Sequence, residues 1–288
     1  MAIKLIASDL DGTIIDEHNF ISPSNLNAIK DINTKKINFA VCTGKSYSIG
    51  KSLCNNFNAT FGIFGNGSQI VDLTTGKSIY KHSISLDEIK LCLDIAEKYN
   101  LHVHAYTDKE IITTHLKYMD LRNYKLNPTS GSKFLITDNL YKCIIDNNLE
   151  VLQLIISSDN HLNIVRSEIE DLSNLSITTF SKFGKYKDMI INKEYEYLSI
   201  APQNTNKEEA LSFLKKYLNL SNDEVMAVGD NLNDLEMLKN SGISIAVANA
   251  YDEVKQIAKY TTQKDVSQGA FAEAVYKFID FDNPYITT

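Results

Sequence analysis

Residues 3–13 of the chain read IKLIASDLDGT, and this stretch decides the fold. Its apolar part is a short, nearly continuous run, as expected of a strand that is covered on both faces in a parallel sheet. Asp9 and Asp11 come where this strand ends, just before a glycine that permits a tight turn. Because ligands bind at the carboxyl ends of strands in open α/β sheets, the sequence predicts a functional site here.

The residues that follow predict a strand, a helix and a second strand. Ser22 is a good N-cap and Pro23 suits the first helical turn, while INFAVCT at 37–43 is again a buried apolar run. A second helix through Leu53 then leads to the strand FGIFG at 61–65. This alternation of strands and helices indicates an α/β unit with a parallel sheet.

The same pattern returns near the end of the chain. Thr205 and Glu208 form a capping-box pattern before a helix, and the strands VMAV at 225–228 and ISIAVA at 243–248 follow. The two ends of the chain therefore predict one doubly wound, Rossmann-like α/β core with a parallel sheet.

The middle of the chain has a different pattern. Ser85 and Glu88 cap a predicted helix, which is followed by alternating strand-like stretches at 102–107 and 111–115. A second group of strands and a helix begins with VLQLIISS at 151–158. We predict an inserted α+β domain at 83–197 with an antiparallel sheet, and a core made of 1–82 and 198–288.

Composition excludes several classes of protein. The chain of 288 residues has 29 Lys and Arg against 36 Asp and Glu, a net charge of −7, which argues against a nucleic-acid surface. The first residues predict neither a signal peptide nor a membrane span. The cysteines lack the spacing of a metal site and are predicted to be buried free thiols, at Cys42, Cys54, Cys92 and Cys143. We expect a cytoplasmic protein with no nucleic-acid or membrane partner and no evident obligate protein partner.

Two acidic clusters are predicted to meet at one edge of the sheet. Asp9 and Asp11 end the first strand, and GDNLND at 229–234 follows a later one with Asp230 and Asp234. Each cluster alone is also explained by a turn or a helix cap. Together they place like charges in one small site, which calls for a cation, and oxygen ligands select a hard ion such as Mg2+.

Two further elements predict a place for an anionic ligand. Thr43 and Gly44 follow the second strand and are predicted to open a helix, which offers a hydroxyl and backbone N–H groups to a phosphate. Lys207 lies in the first turn of its predicted helix, where the helix dipole disfavours a cation. That position suggests another negative partner, although a solvated surface lysine is the simpler interpretation of Lys207 alone.

In this order, the four elements resemble the motifs of the haloacid dehalogenase superfamily. DLDGT at 9–13, the pair Thr43 and Gly44, Lys207, and GDNLND at 229–234 match its four motifs. The insert between the second and third motifs is similar to that of the Cof-type phosphatases. The resemblance implies a small phosphorylated metabolite as substrate and Mg2+ as cofactor.

The resemblance also implies a role for each matching residue. Asp9 would be the nucleophile that forms an aspartyl phosphate, and Asp11 would be general acid and then general base. Asp9, Asp11 through its backbone carbonyl, and Asp230 would bind the metal, which Asp234 would support indirectly. The residues expected to contact the phosphoryl oxygens are Leu10, Thr43, Gly44, Lys207 and Asn233.

This chain departs from the family pattern at Val247 and Ala248, where Met and Gly usually precede an Asn-Ala pair, and at two further positions. Lys45 stands where the family often has Arg, and Glu208 stands where a glycine commonly follows the motif lysine. The second change is expected to put an acid near the site.

The resulting hypothesis is a Mg2+-dependent phosphatase that hydrolyses small phosphomonoesters, either sugar phosphates or phosphorylated cofactors. A phosphomutase of the same fold and a non-catalytic phosphate-binding module are the alternatives. The insert is expected to cap the site, and its aromatic and basic loop Phe183–Lys187 is either a substrate contact or a solvated loop.

Overall fold

The structure is a computed structural model that describes residues 2–18, 20–114, 134–158, 162–182 and 195–281. The chain forms two compact units. The first comprises Met1–Lys45, Leu53–Tyr80 and Asn206–Thr288, and the second comprises Ser46–Ser52 and Lys81–Thr205. The loop Phe183–Lys187 lies outside the described residues.

An eight-stranded sheet organises the first unit. Its strands lie in the order β14-β13-β12-β1-β2-β3-β4-β5. They are β1 (Leu5–Asp9), β2 (Asn38–Cys42), β3 (Phe61–Phe64), β4 (Gln69–Asp72), β5 (Lys77–Lys81), β12 (Val225–Gly229), β13 (Ile243–Ala246) and β14 (Tyr260–Thr261). The strands from β14 to β3 pair in parallel, and β4 joins β3 antiparallel. The predicted α/β core with a parallel sheet is confirmed.

The position of β1 in this sheet fixes where a ligand can bind. From β1 the chain continues to β2 and β3 on one side, and later returns through β12 to the other side. The sheet therefore has a topological switch point between β1 and β12, which is where open α/β sheets form their binding crevice. Asp9 ends β1 and Gly229 ends β12, so the two acidic motifs leave the sheet at this point.

Helices cover this sheet, and the first of them begins where the sequence predicts. They are α1 (Pro23–Thr34), α2 (Tyr47–Asn56), α6 (Lys207–Tyr217), α7 (Leu235–Lys239), α8 (Asp252–Ile257) and α9 (Ala270–Phe278). Ser22 caps α1 as predicted, with its side chain accepting from the backbone N–H of Asn25. The predicted cap of α6 is wrong by one residue, because Asn206 rather than Thr205 is the N-cap and accepts from the N–H of Glu209. Asn is as good a cap as Thr, so the sequence left both registers open.

The second unit contains a six-stranded sheet with helices on one face. Its strands lie in the order β10-β11-β9-β6-β7-β8 and pair antiparallel except for β7 and β8, which are parallel. They are β6 (His102–Thr107), β7 (Ile111–Thr113), β8 (Phe134–Ile136), β9 (Val151–Ser158), β10 (Leu175–Lys182) and β11 (Tyr195–Pro202). The helices are α3 (Leu86–Lys98), α4 (Leu140–Asp146) and α5 (Leu162–Leu172).

Local sequence signals in this unit are reproduced closely. Ser85 and Glu88 form the predicted capping box at the start of α3. Apolar residues of β6, β9 and β11, among them Val103, Leu154 and Ile200, join those helices in one buried cluster. The α+β character of the insert is confirmed, whereas its borders at 83 and 197 stay a prediction.

Two further sequence predictions concern the cysteines and membrane-spanning helices. All four cysteines are buried free thiols, as predicted. Within the part of the chain that the structure describes, no helix combines the length and the apolar character needed to cross a membrane.

Asn25 joins three segments of the first unit. Its side chain is buried, its Nδ2 donates to the carbonyl of Ile14 at 3.1 Å, and its Oδ1 accepts from the N–H of Ala272 at 3.0 Å. It therefore ties α1 to the segment after DLDGT and to the start of α9.

We predict that Asn25→Ala lowers the free energy of unfolding by about 2–4 kcal/mol, because it leaves a buried N–H and a buried carbonyl without partners. Urea denaturation measures the change. Asn27→Ala, an exposed position in the same helix, is the matched control and should change stability by less than about 0.5 kcal/mol. Equal effects of the two substitutions would contradict this role.

Candidate active site

The two acidic motifs converge at the carboxyl edge of the large sheet. Gly12 has a φ of +87°, and a Cβ at this position would collide with the carboxylate of Asp230. Only glycine fits here without strain, so the turn after Asp11 brings the chain directly onto Asp230. Thr13 completes the contact, since its hydroxyl donates to Asp230 Oδ1 at 2.9 Å.

Lys207 lies at the centre of the site, and its side chain is fully buried. Its ammonium donates to Asp9 Oδ1 and, at 2.6 Å, to Asp234 Oδ1. Lys207 is the first residue of α6, so the helix dipole disfavours its charge there, and the two carboxylates offset that cost. The predicted negative partner of Lys207 is therefore a pair of aspartates.

A close backbone approach sets the start of α6. Gly67 has a φ of +112°, and a Cβ there would meet the backbone of Asn206, the N-cap of that helix. The Asn-Gly turn after β3 is thus packed against the residue that precedes Lys207. This contact holds the lysine opposite the ends of β1 and β12.

Asp234 has an organising role that its geometry defines. Its side chain is fully buried, Oδ1 accepts from Lys207, and Oδ2 accepts from the N–H groups of Asp230 and Asn231, each at 3.0 Å. Both of its oxygens are engaged. Asp234 therefore fixes the loop that carries Asp230 and leaves Asp9 and Asp230 better placed to face a ligand.

The electrostatics of this cluster are unbalanced. One carboxylate oxygen from each of Asp9, Asp230 and Asp234 lies within 4.8 Å of the others, and Lys207 is the cation that contacts two of them. Burial raises the pKa of Asp9 well above its ordinary value, against the attraction of Lys207, and burial and Asp234 raise the pKa of Asp230. Burial alone would lower the pKa of Lys207, but Asp234 and Asp9 outweigh it and raise that pKa.

These residues fit a divalent cation. Three carboxylates against one ammonium leave two negative charges without compensation inside the protein, and burial makes that arrangement costly. The donor atoms are all oxygens, the ligands that Mg2+ prefers over softer ions. Gly12 lies so close to the Asp230 carboxylate that a residue with a side chain would not fit at position 12. Asp9 and Asp230 are therefore suited to hold a hard metal ion.

The predicted phosphate-binding segment after β2 differs from expectation in one respect. Thr43 and Gly44 do not open a helix, because α2 begins only at Tyr47. The N–H of Thr43 donates to the carbonyl of Ile63 at 2.8 Å, and the N–H of Lys45 donates to the Thr43 hydroxyl at 3.1 Å. The parallel pairing with β3 continues past the strand end and uses an N–H that the sequence argument offered to phosphate.

The other predicted phosphate contacts occupy different surroundings. Leu10, which lies between Asp9 and Asp11 in the sequence, is buried. Gly44 is exposed and lies beside the side chain of Asn66. Asn233 Nδ2 donates to Asn66 Oδ1 at 2.9 Å. The structure thus links Gly44 and Asn233 through Asn66, although they are far apart in sequence.

Asp11 contrasts with the buried aspartates. Its side chain is 49% exposed, and its Oδ2 accepts from the ammonium of Lys45. Glu208, expected near the site, instead accepts from the hydroxyl of Ser212 at 2.6 Å and from Lys215 at 3.3 Å. That expectation is wrong, because the Glu208 side chain runs along its own helix toward residues four and seven positions later.

Sequence reasoning assigned no role to several residues that contact the site. Thr13 ends the DLDGT motif at 9–13. A threonine after a glycine turn does not reveal from the sequence which distant carboxylate it binds. Asn249 Nδ2 donates to the carbonyl of Gly12 at 2.8 Å, and its Oδ1 accepts from the N–H of Val266 at 2.9 Å. The sequence marks Lys45 only as a departure from the family motif and gives no role to Asn66.

Comparisons with known proteins show the family to which the chain belongs. The family model described as haloacid dehalogenase-like hydrolase matches residues 6–275. A 5-amino-6-(5-phospho-D-ribitylamino)uracil phosphatase of Bacillus subtilis is 28% identical over 278 residues, which is 96% of each chain. An HMP-PP phosphatase of Yersinia enterocolitica is 24% identical, over 88% of this chain and 86% of its own.

A solved structure shows the same fold. A haloacid dehalogenase-like hydrolase from Bacteroides thetaiotaomicron has a TM-score of 0.79 and 24% identity, and the match covers 96% of this chain and 99% of that one. With the family model matching most of the sequence, the chain belongs to the haloacid dehalogenase-like hydrolases. The predicted family and hydrolase class are confirmed.

We predict that Lys207→Met lowers the free energy of unfolding by about 3–5 kcal/mol at about pH 8, because it leaves Asp9 and Asp234 buried without their cation. In the wild type the raised pKa keeps Lys207 charged, so its contribution persists up to strongly alkaline pH. The loss should be smaller at about pH 5, because burial already raises the pKa of Asp9 and, without Lys207, this carboxylate takes up a proton more readily.

Urea denaturation without added metal measures both values. Lys216→Met, an exposed position in the same helix, should have little effect at either pH. A loss in Lys207→Met that does not depend on pH would refute the explanation by unpaired carboxylates.

We also predict that Mg2+ raises the melting temperature more at about pH 8 than at about pH 5. The raised pKa values of Asp9 and Asp230 mean that the metal-free protein loses stability as these groups ionise with rising pH, and bound cation removes that cost. At lower pH, protons compete with the ion. Thermal unfolding measures the shift, and Asp230→Asn should reduce it; an equal shift at both pH values would argue against this metal site.

Proposed function

We propose that the protein is a Mg2+-dependent phosphatase of small phosphomonoesters that works through an aspartyl phosphate on Asp9. One observation carries the proposal: Asp9 is a buried carboxylate held by Lys207 at the switch point of the sheet, with the exposed Asp11 two residues later. Membership of the haloacid dehalogenase-like hydrolases supports it.

In the first step, a carboxylate oxygen of Asp9 attacks the phosphorus atom and the bond to the alcohol oxygen breaks. Lys207 holds Oδ1 of Asp9, which limits the rotation of the nucleophile and supplies positive charge near the phosphoryl group. Asp11 gives its proton to the departing alkoxide. The exposure of Asp11 suits this role, because its carboxyl must reach a group that then leaves.

In the second step, a water molecule attacks the phosphorus of the aspartyl phosphate while Asp11 takes up its proton. The bond to the Asp9 oxygen breaks, which releases inorganic phosphate and restores both carboxyl groups. When bound, Mg2+ would be held by Asp9, Asp230 and the backbone carbonyl of Asp11, and would neutralise the charge of the phosphoryl oxygens.

We further propose that the phosphoryl oxygens are contacted by Leu10, Thr43, Gly44, Lys207 and Asn233. The Thr43 hydroxyl accepts from the N–H of Lys45, so its own proton remains for donation to a ligand. Asn66 would orient the amide of Asn233 through their hydrogen bond.

The substrate we propose is a sugar phosphate or a phosphorylated cofactor. Two of the relatives are a 5-amino-6-(5-phospho-D-ribitylamino)uracil phosphatase and an HMP-PP phosphatase, and both names describe action on a small phosphorylated compound. We propose that the insert at 83–197 selects among such substrates. The cytoplasmic location stays a prediction from the sequence.

Phosphate release from p-nitrophenyl phosphate tests the function. We expect release that depends on Mg2+ and is abolished by EDTA, and we expect Asp9→Asn to remain folded but to lose at least about a thousandfold in kcat, since the nucleophile is gone. Thermal unfolding checks the fold of the variant, and Asp16→Asn serves as an acidic control in the segment after the motif. A folded wild type without release under either condition would reject an enzymatic role.

A further inference from the structure

The side chain of Lys45 has a contact that the proposed chemistry does not use. Its ammonium contacts Oδ2 of Asp11, the group proposed to be general acid and base. We infer that Lys45 is a positioning residue that holds the Asp11 carboxylate in the orientation required for hydrolysis of the aspartyl phosphate. This inference rests on the proposed function and deepens it.

The backbone of Lys45 is fixed on both sides. Its N–H donates to the hydroxyl of Thr43 at 3.1 Å, and its carbonyl accepts from the N–H of Gly65 at 2.8 Å. These bonds tie Lys45 to the ends of β2 and β3, which are rigid elements of the sheet. The lysine side chain therefore extends from a fixed point, unlike that of a lysine on a surface loop.

Asp11, in contrast, needs support from outside its own turn. It follows β1 and precedes Gly12, and its side chain is 49% exposed while that of Lys45 is only 17% exposed. An exposed carboxylate samples several rotamers, and each one that points away from the reacting atoms lowers the rate. A contact with a lysine of fixed origin removes part of that freedom.

Stability alone does not explain this ion pair. Pairs in which one partner is half exposed contribute only about 0–1 kcal/mol to folding. The pair joins the ends of two neighbouring strands, which already pair through their backbones from Leu5 to Asp9. Its effect is therefore on the position of the Asp11 carboxylate rather than on the fold.

The step that this contact serves can be isolated with p-nitrophenyl phosphate. Its leaving group departs readily without a proton, so phosphorylation of Asp9 depends little on Asp11. Hydrolysis of the aspartyl phosphate still needs Asp11 as base. Rapid mixing with enzyme in excess separates the two rates, because p-nitrophenolate release reports phosphorylation and inorganic phosphate release reports hydrolysis.

For Lys45→Met we expect the rate of phosphate release to fall about tenfold, which is part of the rate enhancement that a general base provides. The rate of p-nitrophenolate release should change less than about threefold. Lys45→Arg should restore phosphate release to within about threefold, because its guanidinium can also bind the carboxylate. Lys51→Met, which removes an exposed positive charge in the following helix, should leave both rates unchanged.

A double-mutant cycle provides the second measurement. If Lys45 acts through Asp11, Lys45→Met should slow phosphate release less than about twofold when Asp11 is already Asn. Equal losses of both rates in Lys45→Met, no loss of either, or additive losses in the cycle would each overturn the inference. A wild type without turnover would instead reject the proposed function, so the two failures are distinguishable.

Discussion

The site depends on one buried interaction, the contact of the Lys207 ammonium with Asp9 and Asp234. A charge buried in protein is costly unless it is paired, and here each of the three groups is stable only because the others are present. Asp234 also binds two backbone N–H groups of the loop that carries Asp230. The ends of β1, β12 and α6 are thereby locked together by one network.

The network is incomplete by charge, because three carboxylates face one ammonium, and this imbalance is what the proposed function depends on. Lys207 compensates one of three carboxylates, and burial, together with the neighbouring carboxylates, raises the pKa values of Asp9 and Asp230. A divalent cation would remove that excess, and a phosphate group would then find positive charge instead of a cluster of aspartates. Under the proposed function, bound ligands would offset the cost of holding Asp9 and Asp230 together in the folded protein.

The exposed part of the site follows a different rule. Asp11 lies outside the buried network and is held by Lys45, whose backbone is bonded to Thr43 and Gly65. A nucleophile needs a fixed position, whereas a group that gives a proton to one molecule and takes one from another needs access. Burial of Asp9 and exposure of Asp11, two residues apart at one strand end, meet both needs of the proposed mechanism.

The sequence by itself determined the elements and their order. Apolar runs, the cap at Ser22, and the motifs around Asp9 and Asp230 predicted a parallel-sheet core and an acidic site at its edge, because these signals are local. Only the tertiary structure decided which distant groups meet: the pairing of Lys207 with Asp234, the contact of Lys45 with Asp11, and the turn of Glu208 away from the site. Such partners are chosen by strand order and helix register, which a one-dimensional pattern does not contain.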